Sequence, residues 1–309
     1  MVWIAACIVF LLVLTLLLSF IVFKIVFYSP VPHHGDIHSI PSGAQYQCMA
    51  DEIIRLVDKF DAIEREEVNI TSRDGTMLCA KYYHTADDAP LDIAFHGYRS
   101  TGIRDFCGGA MIALDAGHNL LLVDQRAHGE SGGSVISFGI RERYDCLDWI
   151  DYAIRRFGGD VNIILDGVSM GAATVLMASD LPLPDNVKGI IADCPYSSPV
   201  EILKKSSRDR GIPPALAMPL VQIGAWLFGN FRLSGASAVT SVTRTGTPVL
   251  IIHGEADRFV PYSMGLEIYN SCAGKKHFLS VPGAGHAMSY LVDRQKYTDT
   301  VNRFYDEVL

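Results

Sequence analysis

The sequence predicts an α/β protein whose mostly parallel sheet is covered by helices on both faces. Short apolar runs alternate with amphipathic segments, which is typical of strands buried on both sides. Polar residues directly follow several of these runs, at the positions where parallel sheets carry functional side chains. The composition agrees, because 49% of the 309 residues are hydrophobic and 19% are charged, which allows a large buried core.

The spacing of apolar residues places the elements along the chain. Helical spacing over residues 46–62 predicts a helix that leads into the main domain. Two strand-like runs, 68–71 and 77–83, flank the turn Arg73-Asp74-Gly75 as a hairpin. The remaining elements alternate, with strands over 91–95, 120–124, 161–165, 187–192, 248–252 and 276–281, and helices over 110–116, 141–157, 170–179, 262–269 and 289–308.

Residues 1–28 are predicted to be a transmembrane anchor. Residues 2–23 carry no charge, and a helix of that length spans about 33 Å, against roughly 30 Å for a bilayer core. The competing interpretation, a cleaved signal peptide, requires a basic start, a shorter apolar core and a small-residue cleavage site. Trp3 and Tyr28 are placed for the two interfaces. Lys24 favours a cytoplasmic main domain only slightly, so the side of the membrane stays open.

The rest of the chain divides into a linker with its leading helix (29–62) and the main domain (63–309). Residues 29–43 are rich in Pro, Gly, Ser and His, which is typical of a linker. The linker histidines have no supporting carboxylate cluster, so we expect solvated side chains rather than metal ligands at His33, His34 and His38.

Charge and cysteine content exclude several classes of protein. The net charge of −8 argues against nucleic acid as a partner, because phosphate recognition needs clustered basic residues. The seven cysteines are odd in number and form no C-x-x-C pair, which predicts free thiols rather than disulfides or zinc. Neither an H-E-x-x-H motif nor another clustered ligand set occurs, so we expect no metal and no cofactor.

Four predicted strands end in polar residues that ordinary turns do not need. Ser169 follows one strand within a G-x-S-x-G pattern, and Asp257 and His286 follow two others. A lone G-x-S-x-G arises by chance in about one such chain in ten, but the whole set is far more specific. A serine hydroxyl is a poor nucleophile until a base takes its proton. His286 is predicted to be that base, and Asp257 to orient it and stabilise its cation.

The residues around Ser169 complete the predicted site. Gly167 and Gly171 are needed because a strand-to-helix elbow is strained and tightly packed. The fourth strand end is His96-Gly97-Tyr98. The backbone N–H groups of Tyr98 and Met170 are predicted to form the oxyanion hole, in which one donor contributes about 2.7–4 kcal/mol.

Several neighbouring residues compete with these assignments. Asp193 also follows a strand and is the alternative acid, whereas Asp166 in the elbow strand is expected to be structural. Cys194 is expected to be a buried thiol rather than a reactive one. The remaining polar residues are expected to fix turns and loops near the site: His96, His253, His128 and Glu130.

From these motifs the chain resembles the α/β-hydrolase superfamily over roughly residues 68–309. It looks most like the bacterial membrane-anchored hydrolases related to serine aminopeptidases and to the human α/β-hydrolase-domain proteins. The Ser, Asp, His order along the chain is that of the superfamily. The strand before the elbow departs from the pattern, since it ends in Asp166 rather than a hydrophobe. The matching motifs are FHGY (95–98), DQRAHGES (124–131), GVSMG (167–171), HGEADRFVP (253–261) and GAGH (283–286).

Residues 195–240 interrupt the alternation where this superfamily carries its lid. The insert has a charged part, 201–210, and an apolar part, 213–233. An apolar lid predicts a hydrophobic acyl pocket or contact with the membrane, and the alternative is that it simply packs on the sheet.

The sequence therefore leads to one preferred function and two alternatives. We expect a membrane-anchored serine hydrolase that cleaves carboxylic esters, with lipophilic acyl groups preferred, through an acyl-enzyme. A serine peptidase or amidase acting through the same triad is the first alternative. A non-catalytic binding protein with the same fold is the second, because fold does not imply activity. A small-molecule acyl ester or a peptide is the expected partner besides the membrane, and the oligomeric state stays open.

Overall fold

An eight-stranded sheet runs through the centre of the protein in this computed structural model, which describes residues 2–30 and 35–309. Its strands are β1 (Glu66–Thr71), β2 (Met77–Tyr83), β3 (Leu91–Phe95), β4 (Asn119–Asp124), β5 (Ile163–Val168), β6 (Val187–Asp193), β7 (Val249–Gly254) and β8 (Lys276–Val281). Their order is β1-β2-β4-β3-β5-β6-β7-β8. β2 pairs antiparallel with both β1 and β4, and all the other pairs are parallel. The prediction of a mostly parallel sheet that begins with a hairpin is confirmed.

Helices cover both faces of this sheet. They are α1 (Val2–Val26), α2 (Ala44–Gln47), α3 (Ala50–Asp61), α4 (Gly102–Asp105), α5 (Gly109–Asp115), α6 (Glu142–Phe157), α7 (Met170–Ala178), α8 (Pro199–Asp209), α9 (Pro214–Leu227), α10 (Ala238–Val242), α11 (Tyr262–Ser271), α12 (Ser289–Val292) and α13 (Arg294–Val308). The single closing helix predicted over 289–308 is wrong. It breaks at Asp293, whose side chain caps α13 by accepting a hydrogen bond from the Lys296 N–H at 3.2 Å.

The central strands are buried on both faces, as their continuous apolar sequences require. In β4, Leu121 and Val123 join the core on one side of the sheet, and Leu120 and Leu122 join the core on the other. This alternation follows from the two-residue period of a strand. Because β3, β5, β7 and β8 run parallel to one another, their carboxyl ends lie at one edge of the sheet. The predicted site residues follow these strand ends.

The last two turns of α1 pack inside the domain rather than outside it. Phe23 and Phe27 are buried in the main core, and Phe27 makes edge-to-face contacts with Phe138 and Phe231, with ring centroids 5.8 and 5.3 Å apart. The carbonyl of Phe27 also accepts a hydrogen bond from Ile136 at 2.8 Å. α1 therefore enters the domain before residue 28, where the sequence placed the end of the anchor.

The segment between α1 and α3 approaches the domain surface. His33 and His34 lie outside the described residues. His38 is exposed, and its Nε2 lies 2.7 Å from Oδ1 of Asp58, so this side chain is paired with α3 as well as solvated. The helix expected over 46–62 divides into α2 and α3.

The insert forms three helices, and its apolar part packs against α1 instead of covering the sheet. Gly224 of α9 lies so close to α1 that an added Cβ would be 2.8 Å from the carbonyl oxygen of Ser19. Phe228, just after α9, makes aromatic contacts with Phe20 and Phe23. The insert was expected to form an acyl pocket, to contact the membrane or to pack on the sheet, and its apolar helix packs against the apolar N-terminal helix.

Burial of Phe27 leads to a stability prediction. We expect Phe27→Ala to lower the free energy of unfolding of the main domain by about 3–5 kcal/mol, because it removes a ring that lies among three other aromatic side chains. Thermal unfolding of the full chain in detergent measures the change. Phe10→Ala, on the exposed part of α1, is the matched control and should leave the unfolding transition in place.

Candidate active site

Three predicted side chains meet at the carboxyl edge of the sheet. Oγ of Ser169 lies 2.9 Å from Nε2 of His286, and Nδ1 of His286 lies 2.7 Å from Oδ2 of Asp257. They follow β5, β8 and β7, so residues more than 100 positions apart in the sequence form one hydrogen-bonded chain. This is the arrangement in which a serine can be activated by a histidine that a carboxylate orients.

Ser169 occupies a strained turn between β5 and α7. Its φ of 56° and ψ of −111° lie outside the helical and strand regions, and its side chain is 7% exposed. The turn is possible because of two glycines. A Cβ on Gly171 would lie 1.7 Å from the carbonyl oxygen of Phe95, and one on Gly167 would lie 2.4 Å from the carbonyl carbon of Gly171. The geometry matches the elbow that the sequence predicted.

Asp257 is held as an ionised acid. Oδ1 accepts hydrogen bonds from the N–H groups of Phe259 and Val260, both at 2.8 Å. Burial by itself raises the pKa of Asp257, but hydrogen bonds from His253 and His286 outweigh it and hold the pKa well below its usual range. The carboxylate can therefore stabilise a positive charge on His286.

His253 has a larger part in the site than its expected one of shaping a turn. Its Nε2 lies 3.0 Å from the carbonyl oxygen of Val260 and 3.5 Å from Oδ2 of Asp257, and the side chain is fully buried. The imidazole thus lies beside the same carboxylate oxygen of Asp257 that contacts His286. The sequence signal was the His-Gly pair at the end of β7, which does not reveal what the ring contacts.

The alternative acid, Asp193, has a different environment. Oδ2 accepts a hydrogen bond from the hydroxyl of Tyr297 at 3.2 Å, and Oδ1 has no partner among the described residues. Burial raises the pKa of Asp193 to about 6, against the opposing influence of His253, the Tyr297 hydroxyl and His286. Nδ1 of His286 donates its hydrogen bond to Asp257 and not to Asp193, so the geometry favours Asp257 as the acid of the triad.

Two segments border Ser169 at the place where an oxyanion would form. Met170 begins α7 directly after the serine, so its N–H lies in the first turn of a helix, where backbone donors are available. The loop after β3 lies on the other side, since a Cβ on Gly97 would be 3.5 Å from Cβ of Ser169. The N–H of Gly97 donates to Oδ2 of Asp105 at 2.7 Å, which fixes this loop just before Tyr98.

His96 and His128 hold the same loop, as expected. Nδ1 of His96 donates to the carbonyl of Gly97 at 2.8 Å, and its Nε2 accepts from the N–H of Gln125. Nε2 of His128 accepts from the N–H of Arg99 at 2.9 Å. The motif DQRAHGES thereby supports the loop that carries Tyr98.

Contacts from the N-terminal region were not foreseen. The Tyr98 hydroxyl donates to the carbonyl of Val26 at 2.8 Å, and the Arg99 guanidinium donates to the carbonyls of Ile25 and Tyr28 at 2.9 and 3.1 Å. On the other side, the hydroxyl of Tyr46 donates to the carbonyl of His286 at 2.9 Å. Nothing in the local sequence around these residues indicates the pairing.

A cavity of about 550 Å³ opens at Ser169 and His286. The insert contributes to its wall only through Lys205 and Asp209 of α8, and no lining residue of the described chain comes from α9. The expectation that the apolar insert forms the pocket is therefore wrong. Apolar and aromatic side chains from other elements line it instead: Tyr46, Ile53, Phe106, Phe259, Met288, Tyr290 and Leu291.

One group of possible metal ligands occurs among the described residues, and it overlaps the triad. Cys194, Asp257 and His286 have ligand atoms within 4.8 Å of one another. Burial raises the pKa of the Cys194 thiol well above its ordinary value, so the thiol stays protonated and is a poor ligand. The other two groups are hydrogen-bonded to each other, and the donor set fits a triad better than a metal site.

The sheet, the strained elbow and the Ser-His-Asp geometry define a protein with the α/β-hydrolase fold. A family model described as alpha/beta hydrolase fold matches residues 94–217. The Bacillus subtilis protein YqkD is 30% identical over 254 residues, which cover 81% of this chain and 82% of YqkD. The chain belongs to the α/β-hydrolase superfamily.

Solved structures show the same fold at lower identity. The Pyrococcus furiosus esterase Pf2001 superimposes with a TM-score of 0.65 at 19% identity, covering 87% of this chain and 97% of the esterase. The Pyrococcus horikoshii acylaminoacyl peptidase gives a TM-score of 0.61 at 17% identity, covering 84% of this chain and 44% of the peptidase.

The buried Asp193 predicts a pH-dependent effect on stability. Its folded pKa of about 6 lies above the ordinary value of 3.8, so the folded state loses stability as the pH rises from about 3.8 to about 6, and the loss is complete above pH 6. We expect Asp193→Asn, which removes that charge, to change the unfolding temperature more favourably at pH 8 than at pH 4.5. Thermal unfolding at both pH values measures the difference. An equal change in unfolding temperature at both pH values would show that burial does not raise the pKa of Asp193.

Proposed function

We propose that the protein is a membrane-anchored serine hydrolase that cleaves carboxylic esters, preferably with lipophilic acyl groups, through an acyl-enzyme. The observation that carries the proposal is the hydrogen-bonded chain from Ser169 through His286 to Asp257 at a strained elbow. All three members are present in this chain, which disfavours a non-catalytic binding protein.

In the first half of the reaction, Oγ of Ser169 attacks the ester carbonyl carbon while Nε2 of His286 takes its proton. The N–H groups of Tyr98 and Met170 would stabilise the negative charge on the carbonyl oxygen. Asp257 stabilises the resulting imidazolium. As the C–O bond breaks, His286 returns the proton to the departing alcohol, and the acyl group stays on Ser169.

In the second half, water replaces the alcohol. His286 takes a proton from the water as it attacks the acyl carbon. The proton then goes to Oγ of Ser169 as the acyl–oxygen bond breaks, which releases the carboxylic acid. The product binds in the cavity until it departs, and the enzyme returns to its starting protonation state.

The cavity supports a lipophilic acyl group. Aromatic and aliphatic side chains form part of its wall, together with charged residues that include Lys205, Asp209 and Arg258. The structural likeness to an esterase agrees with an ester substrate. The second candidate function is amide hydrolysis by the same triad, which the structural likeness to an acylaminoacyl peptidase supports.

The N-terminal helix supports retention at a membrane. α1 is 25 residues long, with a mean hydropathy of 3.1 in its most apolar window, and is long enough to span a bilayer. Cleavage of α1 as a signal peptide would remove Phe23 from the core and leave a cavity there. An uncleaved single-pass anchor preserves that packing.

Covalent labelling tests the triad. We expect a fluorophosphonate probe to label the wild-type chain and to leave Ser169→Ala unlabelled, because the probe reacts with a serine hydroxyl that an imidazole activates, and Oγ of Ser169 lies 2.9 Å from Nε2 of His286. Asp257→Asn should label at least about a hundredfold more slowly, since the histidine loses its orienting carboxylate. Ser289→Ala is the matched control, as Ser289 is another buried serine, and it should label normally. Equal labelling of wild type and Ser169→Ala would reject the proposal.

A series of p-nitrophenyl esters tests the acyl pocket. We expect kcat/KM to rise from acetate to medium-chain esters, because each buried methylene contributes about 0.8 kcal/mol. Gly109 lines the cavity, and a Cβ there would meet only the Tyr297 hydroxyl, at 4.0 Å. Gly109→Leu should therefore lower kcat/KM for the longer esters about tenfold and spare acetate. The smaller Gly109→Ala is the control, and a wild-type preference for acetate would contradict the pocket assignment.

A further inference from the structure

No element of the described residues covers the outer apolar face of α9, and the composition of this helix differs from that of an ordinary surface helix. None of its 14 residues is charged. Met218, Val221 and Ala225 are buried, whereas Leu216, Trp226 and Leu227 are 67%, 59% and 47% exposed. A surface helix of a soluble domain normally places polar side chains on its outer face.

The length of α1 indicates how far the bilayer reaches toward this face of α9. Residues 2–14 are exposed, and partly buried or buried positions of the helix occur from Thr15 onward. Those 13 residues span about 20 Å, which is roughly 10 Å less than a bilayer core. If α1 crosses the membrane, the hydrocarbon core extends along α1 to the level of Ser19 and Phe23.

α9 packs at that same level. Gly224 lies against Ser19 and Phe23, and Trp226 is only two residues further along the chain. The outer side of α1 stays apolar and exposed here, with Phe20 43% and Ile21 44% accessible. The exposed faces of α1 and α9 therefore form one continuous apolar surface at the boundary of the bilayer.

Basic residues lie at both ends of α9. Arg208 and Arg210 are exposed just before it, and Arg232 is exposed just after it. Guanidinium groups beside an apolar face are suited to phosphate headgroups, while the apolar residues enter the acyl-chain region.

We propose that α9 is an interfacial membrane helix, with Leu216, Trp226 and Leu227 inserted into the same lipid leaflet from which the end of α1 emerges. The inference rests on the proposed membrane anchoring of α1. Two elements, α1 and α9, then hold the hydrolase domain against the lipid. The occupant of the surface is the bilayer itself.

Fluorescence of Trp226 tests this proposal in the full chain. Trp3→Phe leaves Trp226 and the fully buried Trp149 as the only tryptophans. The protein is reconstituted into phosphatidylcholine vesicles whose acyl chains carry bromine at shallow or deep positions. We expect blue-shifted emission that shallow bromines quench more than deep ones. The Trp3→Phe, Trp226→Phe double variant supplies the baseline of Trp149 and should not be quenched.

The outcomes separate this proposal from the anchoring on which it rests. Vesicle flotation reports on membrane attachment of the chain, and fluorophosphonate labelling reports on the triad. A chain that floats with the vesicles while Trp226 is reached by acrylamide and not by bromolipid overturns the interfacial position of α9. If Trp226 is protected from both quenchers and copies of the chain cross-link to each other, a second chain covers this face of α9. That result also overturns the interfacial position of α9. A chain that does not float rejects both ideas.

A second inference comes from the hydrogen bonds between α1 and the loop after β3. Arg99 and Tyr98 donate to three carbonyls at the C-terminal end of α1, those of Ile25, Val26 and Tyr28. Helix C-terminal carbonyls lack partners within the helix and attract cations. Arg99 has a positive φ of 50°, so its backbone is held in an uncommon conformation beside the proposed oxyanion donor.

We infer that Arg99 is a positioning residue that fixes the N–H of Tyr98 through the end of the membrane helix. This rests on the proposed function, because Tyr98 matters only if an oxyanion forms there. Donors of this kind must be held to within about 0.5 Å. Loss of the tie should therefore lower the rate of the chemical step more than substrate binding.

Steady-state kinetics of the full chain in lipid nanodiscs test this role with a short-chain ester. We expect Arg99→Met to lower kcat about tenfold with KM changed less than twofold, and Arg99→Lys to recover part of the loss. Arg65→Met is the matched control, because Arg65 likewise donates to a helix C-terminal carbonyl, that of Asp61, at 2.7 Å. It should lose stability but not kcat. An active wild type with an unchanged kcat in Arg99→Met would overturn the inference.

Discussion

The close contact between the end of β3 and the start of α7 is the constraint on which the site depends. At Gly171 the helix backbone comes so near the carbonyl of Phe95 that no side chain fits. That approach forces the strained turn at Ser169 and places the serine beside the Gly97–Tyr98 loop. β7 and β8 then need only continue the parallel sheet to deliver Asp257 and His286 to the same edge.

The polar groups around the triad satisfy one another in a way that keeps its charges in place. The two backbone donors of Phe259 and Val260, together with His253, stabilise the carboxylate of Asp257 against the penalty of burial. Asp193, with one weaker partner, is instead driven toward its neutral form. Two buried carboxyl groups near one histidine thereby differ in pKa, and the difference in their hydrogen bonds favours Asp257 as the acid.

The N-terminal helix has two environments along its length. Its first half is exposed, whereas Phe23 near its end and Phe27 directly after it belong to the main core. An apolar sequence allows both, because lipid and protein interior favour the same side chains. Hydrogen bonds from Tyr98 and Arg99 to its final carbonyls connect this helix to the site, so the proposed anchor and the proposed chemistry share one structural unit.

The amino-acid sequence by itself predicted which candidate residues follow which strands: Ser169 between two glycines after β5, Asp257 after β7 and His286 after β8. These positions could be predicted because each chemical role requires a particular type of residue at the end of an apolar run. The tertiary structure alone decided what the apolar insert covers, where α1 enters the domain, and which side chains line the cavity. Hydrophobic burial is non-directional, so an apolar segment such as α9 does not specify its partner; only the folded chain places it on α1 rather than over the pocket.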